Sequence, residues 1–147
     1  MKPFAINKKA RFDYQILKTW SAGLVLYGHE VKAIKSGKAS LKASFVTMLN
    51  KELWLLNTRV APYQPKNTPP DYDPERSRKL LLGKNEIKSL IGRLKQKGLT
   101  LVPLKLYNKK GRIKLEFGLG KGRKKYDKRE LIKKREVKRE IERILKN

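Results

Sequence analysis

Residues 100–119 read Thr100-Leu101-Val102-Pro103-Leu104-Lys105-Leu106-Tyr107-Asn108-Lys109-Lys110-Gly111-Arg112-Ile113-Lys114-Leu115-Glu116-Phe117-Gly118-Leu119. In the second half, Ile113, Leu115, Phe117 and Leu119 alternate with Lys114, Glu116 and Gly118. That period of two is the mark of a strand with one buried face, and it turns Arg112, Lys114 and Glu116 outward together. The first half, Thr100 to Tyr107, is apolar and β-prone, while Pro103 cannot donate to a ladder and predicts an edge or a bulge. Asn108-Lys109-Lys110-Gly111 between the halves has turn chemistry.

The same reading extends upstream. Phe12, Tyr14 and Ile16 alternate with Asp13 and Gln15 as a strand, and Gly23 to Tyr27 reads as a second, ending at Gly28. Glu30 to Ser36, closed by Gly37, predicts a short helix. Ser44–Leu49 and Leu53–Val60 flank Asn50-Lys51-Glu52 and predict a hairpin. Pro62 to Pro74 holds five of the seven prolines and reads as a loop. Asp73 as N-cap, Pro74 and Gly83 predict a helix ending at Leu82. A second helix rests on Ile87, Leu90, Ile91 and Leu94, with Gly98 ending the run.

About six short strands with helices between them predict a mainly β fold with short helices (α+β), an OB-like closed or partly open barrel. No βαβ alternation supports a doubly wound sheet. The barrel is assigned to residues 1–120, and 121–147 form a basic C-terminal tail. That tail carries 13 basic and 5 acidic residues, a net +8, and only six aliphatic ones. Such a segment cannot offset its ordering entropy by burial, so it is expected to be disordered alone. Val137, Ile141, Ile144 and Leu145 nevertheless recur at helical spacing, and Asp127 with Glu130 resembles a capping box, so a helix is expected on binding. Gly118-Leu119-Gly120-Lys121-Gly122 lacks the P-loop pattern and reads as a flexible joint.

The whole chain of 147 residues has 38 Lys and Arg against 13 Asp and Glu, a net charge of +25. An excess this large destabilises a compact chain unless a polyanion neutralises it. Nucleic acid is the leading partner, with an anionic membrane surface as the rival. Zero cysteines exclude disulfides, thiol catalysis and Cys-based zinc sites. No apolar run reaches the roughly 18 residues of a membrane span, and the start lacks the apolar core of a secretory signal, so a cytoplasmic protein is expected.

Catalytic readings are weak. His29 is the sole histidine and suits a helix start better than a triad, and no cofactor or metal is implied. Asp71, Asp73 and Glu75 form a carboxylate cluster that could suit Mg²⁺, but capping explains Asp73 and the helix dipole explains Glu75. Trp54, Phe117 and Tyr14 read as core, whereas Tyr126 lies among Lys124, Lys125, Lys128 and Arg129 and reads as a base-stacking ring. Lys8, Lys9 and Arg11, and further along Arg76, Arg78 and Lys79, are clusters that can neutralise phosphates.

Five stretches in order, Asn7-Lys8-Lys9-Ala10-Arg11, Gly28-His29-Glu30-Val31-Lys32, Arg78-Lys79-Leu80-Leu81-Leu82, Thr100-Leu101-Val102-Pro103-Leu104 and Lys121 to Arg129, carry a resemblance. The chain resembles the SmpB family, the SsrA-binding proteins of bacterial trans-translation. The resemblance implies an OB-fold core that binds the tRNA-like domain of transfer-messenger RNA (tmRNA), without being an enzyme. It further implies delivery with elongation factor Tu to the A site of a stalled ribosome. There the tail would become helical in the empty messenger channel, against small-subunit rRNA. Leu81 and Lys114 fall at RNA-binding positions of the family, joined by Lys8, Lys9, Arg11, Glu30, Lys32, Arg78 and Lys79. Tyr126, Asp127, Lys128 and Arg129 fall at the decoding-centre motif, with Lys121, Lys124 and Lys125 beside it. Where the family has Glu-Ala-Gly this chain has Ser21-Ala22-Gly23, and Phe12 replaces a common histidine. The alternative is a generic OB-fold RNA-binding or ribosomal protein without a rescue role.

Overall fold

The computed structural model describes residues 2–146, and the side chains at 125–128, 130, 131, 145 and 146 lie outside the described residues. Among the described residues the backbone is a seven-stranded antiparallel sheet with four α-helices, one short 3-10 turn at Pro65–Asn67, and a separate two-stranded ribbon. The centre is one long hairpin, β8 (Leu99–Lys109) and β9 (Arg112–Gly122), which turns at Lys110 (φ 51°) and Gly111 (φ 80°). Two successive left-handed residues match the twist of the flanking strands, so the turn sets the register Lys109↔Arg112. The register shifts between Pro103 and Lys105, where the missing N–H was expected to force an irregularity.

Strand β2 (Tyr14–Leu24) pairs along the other side of β9. It takes in most of the first strand expected here but only Gly23 and Leu24 of the second, since Val25 to Tyr27 lie outside any strand. Phe12 lies instead in a short helix, α1 (Ala10–Asp13). Outside β2 come β7 (Arg78–Leu81), β5 (Glu52–Leu56) and β4 (Phe45–Leu49). The β4–β5 turn uses Asn50 and Lys51, again both at positive φ. β1 (Ala5–Ile6) edges β8, and β3 (Ala39–Ser40) pairs with β6 (Arg59–Val60). The sheet curls until β4 comes against β8, yet among the described residues no ladder joins them. The barrel is therefore not closed.

Alternate residues fill the interior. Trp20 stacks on Phe117 with centroids 5.9 Å apart, and Leu53, Leu55, Leu106 and Leu115 are fully buried around them. Helix α2 (Gly28–Lys35) adds Ala33 and Ile34, and helix α3 (Lys84–Leu94) adds Leu90. Each buried Leu, Ile or Phe among them contributes roughly 1.5–3 kcal/mol of apolar burial.

Four expectations are corrected. The helix placed before Leu82 is strand β7, with Arg78 and Leu80 buried and Leu81 exposed. The Asp73 carboxylate, read as a helix cap, accepts the Glu75 N–H at 2.9 Å in a local turn instead. Trp54 is not core, because Leu53 and Leu55 take the inner face and alternation turns Trp54 outward, half-buried. Gly118 and Gly120 are not a joint. They sit within β9, where an added Cβ would lie 2.7 Å from Ile16 Cγ2 and 3.0 Å from Tyr14 Cβ respectively. There α1 and Ile16 cover a small second cluster of Ala10, Val102 and Leu104.

The tail, expected to need a partner for order, is a single helix, α4 (Lys125–Lys146), in this structure. It meets the rest mainly at α1, where the Arg135 guanidinium stands 5.5 Å over the Phe12 ring. Among the described residues no helix is long and apolar enough to cross a membrane.

Candidate nucleic-acid interface

The outer face of β7, β2, β9 and β8 carries one continuous cross-strand row. Leu81 pairs with Gly23, Gly23 with Lys114, and Lys114 with Tyr107. The absence of a Cβ at Gly23 leaves a shallow floor. Lys114 Nζ lies 3.5 Å, and Leu81 Cβ 3.6 Å, from where that atom would be. An exposed leucine, 51% accessible, thus stands beside an ammonium across one glycine. Sequence resemblance singled out Leu81 and Lys114 separately, and the sheet register makes them neighbours.

Charge around the row is one-sided. Lys109, Lys110 and Arg112 are exposed at the hairpin tip and, with Ser21 and Lys114, line a depression of about 400 Å³. Among the described residues none of these four cations has a carboxylate partner. Lower on the same face Glu116 is taken up by Lys105 at 3.7 Å and Arg11 at 4.0 Å. Lys79, beside Trp54, contacts Glu52 at 3.3 Å, an exposed pair that adds little to stability. Ser21 Oγ and the Tyr107 hydroxyl hydrogen-bond, so Ser21 fixes the ring next to Lys114. Nothing in the sequence pattern pointed to that pair.

Glu30 and Arg78, both expected to touch RNA, have no surface to offer. Glu30 is fully buried and Arg78 is 1% exposed. Arg78 donates to Glu30 Oε2 from Nε at 2.9 Å and from its terminal nitrogen at 2.6 Å, and to the Thr58 carbonyl at 2.6 Å. Arg76 donates to both Glu30 oxygens, and the Tyr27 N–H donates to Oε1 at 2.9 Å. Burial alone would raise the Glu30 pKa. The bonds from Arg76, the Tyr27 N–H and Arg78, with the Arg78 charge, outweigh it and hold the carboxyl at about 2. Burial and the Glu30 charge push the nearby Tyr72 hydroxyl up. Arg76 also lies 4.2 Å over the Tyr27 ring, and His29 meets Tyr72 edge-on at 4.7 Å. This network ties the start of α2 to the proline-rich loop and β7, so it holds Lys79 and Leu81 in place from beneath.

Five more of the cations expected at an interface gather at the far end of the β2–β9 ladder. Lys8, Lys9 and Arg11 are exposed at α1, and Lys121 and Lys124 are exposed where β9 ends. The Arg123 N–H donates to the Asp13 carbonyl at 2.8 Å and its Nε to the Arg11 carbonyl at 3.2 Å, joining the two segments. Lys32 is exposed on α2 and Arg129 on α4. Lys125, Tyr126, Asp127 and Lys128 fall in α4, but their side chains lie outside the described residues. From Lys114 to Lys121 along an extended strand is about 23 Å, so the two basic patches are separate.

Comparison with known proteins finds similarity over nearly the whole chain. A family model described as SmpB protein matches residues 4–147. The SsrA-binding protein of Thermosynechococcus vestitus is 50% identical over 146 residues, covering 99% of this chain and 96% of that protein. The SsrA-binding protein of Trichodesmium erythraeum is 48% identical over 140 residues, covering 95% and 90%. A chain from a solved structure described as "tmRNA-SmpB: a journey to the center of the bacterial ribosome" aligns with a TM-score of 0.66. It is 44% identical and covers 86% of this chain and 92% of its own.

Proposed function

The chain belongs to the SmpB family, and from that premise we propose that it binds the tRNA-like domain of tmRNA and brings it to stalled ribosomes for trans-translation. The observation that carries the RNA-binding part is the Leu81–Gly23–Lys114–Tyr107 row beneath unopposed Lys109, Lys110 and Arg112. Unpaired cations in a shallow concavity collect phosphates and release counterions. A fixed tyrosine and an exposed leucine among them add apolar and stacking contact that a plain charged surface lacks. The work is binding rather than catalysis, and it takes place in the cytoplasm.

The finer assignments follow the same reading. The core, residues 1–120, holds the RNA through Lys79, Leu81 and Lys114, while Glu30 and Arg78 act from the interior by positioning them. The patch of Lys8, Lys9, Arg11, Lys121 and Lys124 and the helix with Tyr126, Asp127, Lys128 and Arg129 face small-subunit rRNA in the decoding region and the empty messenger channel. Elongation factor Tu accompanies the delivery complex. Competition tests the whole. A tRNA-like RNA, labelled and bound at moderate salt, should resist displacement by a large excess of generic duplex. Equal displacement by duplex and by unlabelled tRNA-like RNA would reduce the protein to a generic polyanion binder.

A further inference from the structure

Where β4 comes against β8 without pairing, the sheet leaves a groove of about 580 Å³, which falls within the ~300–1,000 Å³ typical of small-ligand sites. Its lining brings Lys42 and Phe45 together with Lys8, Lys9, Val102 and Pro103. Phe45 is 44% exposed, a large ring left open at a seam. Lys8, Lys9 and Lys42 are exposed, and among the described residues none of them has a carboxylate partner. The lining includes one acid, Asp13. The turn that carries Lys42 holds Ala43 at φ 63°, a left-handed conformation that costs an L-residue energy and is kept only where the surroundings impose it.

We propose that this groove takes one unpaired nucleotide of an RNA strand, its base against the Phe45 ring and its phosphate among Lys8, Lys9 and Lys42. The inference rests on the reading that the protein binds RNA, and adds a site to it. An open aromatic ring in a groove lined by unpaired lysines is what single-stranded binding requires, since every base has a stackable face and every nucleotide a charge. The groove is not an extension of the Lys114 patch. Val102 and Tyr107 are five residues apart on β8, about 17 Å along the strand. A seam this narrow admits an extruded nucleotide, whereas a duplex presents only its backbone there.

The test uses the full-length protein and three RNAs: hexaadenylate with 2-aminopurine near its centre, a fully paired hairpin of equal phosphate count, and a tRNA-like RNA. The wild type should quench the 2-aminopurine fluorescence, and the hairpin should compete poorly. Phe45→Ala should abolish the quench and weaken hexanucleotide binding on the order of tenfold. Its affinity for the tRNA-like RNA should stay within about twofold. Lys42→Glu should weaken the hexanucleotide and flatten its salt dependence, and Phe45→Tyr should retain both quench and affinity. Phe45 is partly exposed, so its variants are expected to keep the wild-type circular dichroism and melting temperature. An unchanged quench in folded Phe45→Ala overturns the site, as does displacement of the hexanucleotide by an acidic peptide but not by RNA. A wild type that binds the tRNA-like RNA without quenching overturns the groove alone. One that binds neither RNA overturns the parent reading as well.

Discussion

Without a Cβ at position 23, the Lys114 ammonium can lie across β2, 3.5 Å from where that atom would be, with Leu81 Cβ at 3.6 Å from the same point. Its charge is unshared by any described carboxylate, so a phosphate placed there is its natural counter-ion. Lys114→Ala should weaken binding of the tRNA-like RNA by about 1–3 kcal/mol, the range for hydrogen bonds to charged groups, and lower the salt slope by about one ion. Fluorescence anisotropy over a salt series measures both, and an unchanged dissociation constant removes this lysine from the interface. Glu30 works in the opposite sense, through burial. With its folded pKa near 2 and an ordinary value of 4.5, the unfolded chain binds the proton first as pH falls. Its contribution is thus complete above about pH 4.5 and lost as pH drops toward 2, roughly 3 kcal/mol in all. Glu30→Gln should flatten stability across that window and cost about 3–5 kcal/mol at neutral pH, because two guanidinium groups lose their counter-charge. Urea titrations at several pH values read the slope, and a slope matching wild type would assign the acid sensitivity elsewhere.

Among the elements, β9 differs most from its sequence appearance at its glycines. Gly118→Ala would put a methyl 2.7 Å from Ile16 Cγ2 and 3.2 Å from the Lys18 carbonyl, so either the small cluster or the β2 backbone must shift. A loss of about 1–3 kcal/mol is expected, whereas Gly122→Ala, with nothing within 4 Å, should stay within about 0.5 kcal/mol. Paired thermal melts decide it, and equal melting temperatures would mean that the glycines are spacers after all. The β8–β9 hairpin was legible because alternation and turn chemistry are both local, as was the β4–β5 turn. Strand β7 was not, since its partners β5 and β2 come from distant sequence, and Asp73, Pro74 and Gly83 imitate helix punctuation. Gly118 and Gly120 read as flexible because Ile16 and Tyr14, which crowd them, lie about a hundred residues away. At the interface, basic residues were easy to find. The burial of Glu30 and Arg78 was not, because such side chains default to the surface unless paired.

For the whole molecule, with its net +25, two exposed basic clusters sit at the two ends of one ladder. The hairpin tip with Lys114 forms one patch, and Lys8, Lys9, Arg11, Lys121 and Lys124 form the other, about 23 Å away along β9. From the second patch α4 extends for about 33 Å, with Val137, Ile141 and Ile144 exposed along it. Such a stripe contributes apolar burial only once a surface covers it. Strand β9 runs through Lys121 and Gly122, and the Arg123 N–H is bound to Asp13, so a cut after Arg123 spares every ladder bond. The truncated protein should unfold cooperatively near the wild-type midpoint, because α4 meets the rest mainly at α1. It should bind the tRNA-like RNA within a few-fold of the full chain, since Leu81, Gly23 and Lys114 are untouched. Rescue of ribosomes stalled on a message without a stop codon, followed in a reconstituted translation system, should be lost. A truncated protein that still rescues would place ribosome sensing in the core, and one that binds RNA poorly would make the two patches a single extended surface.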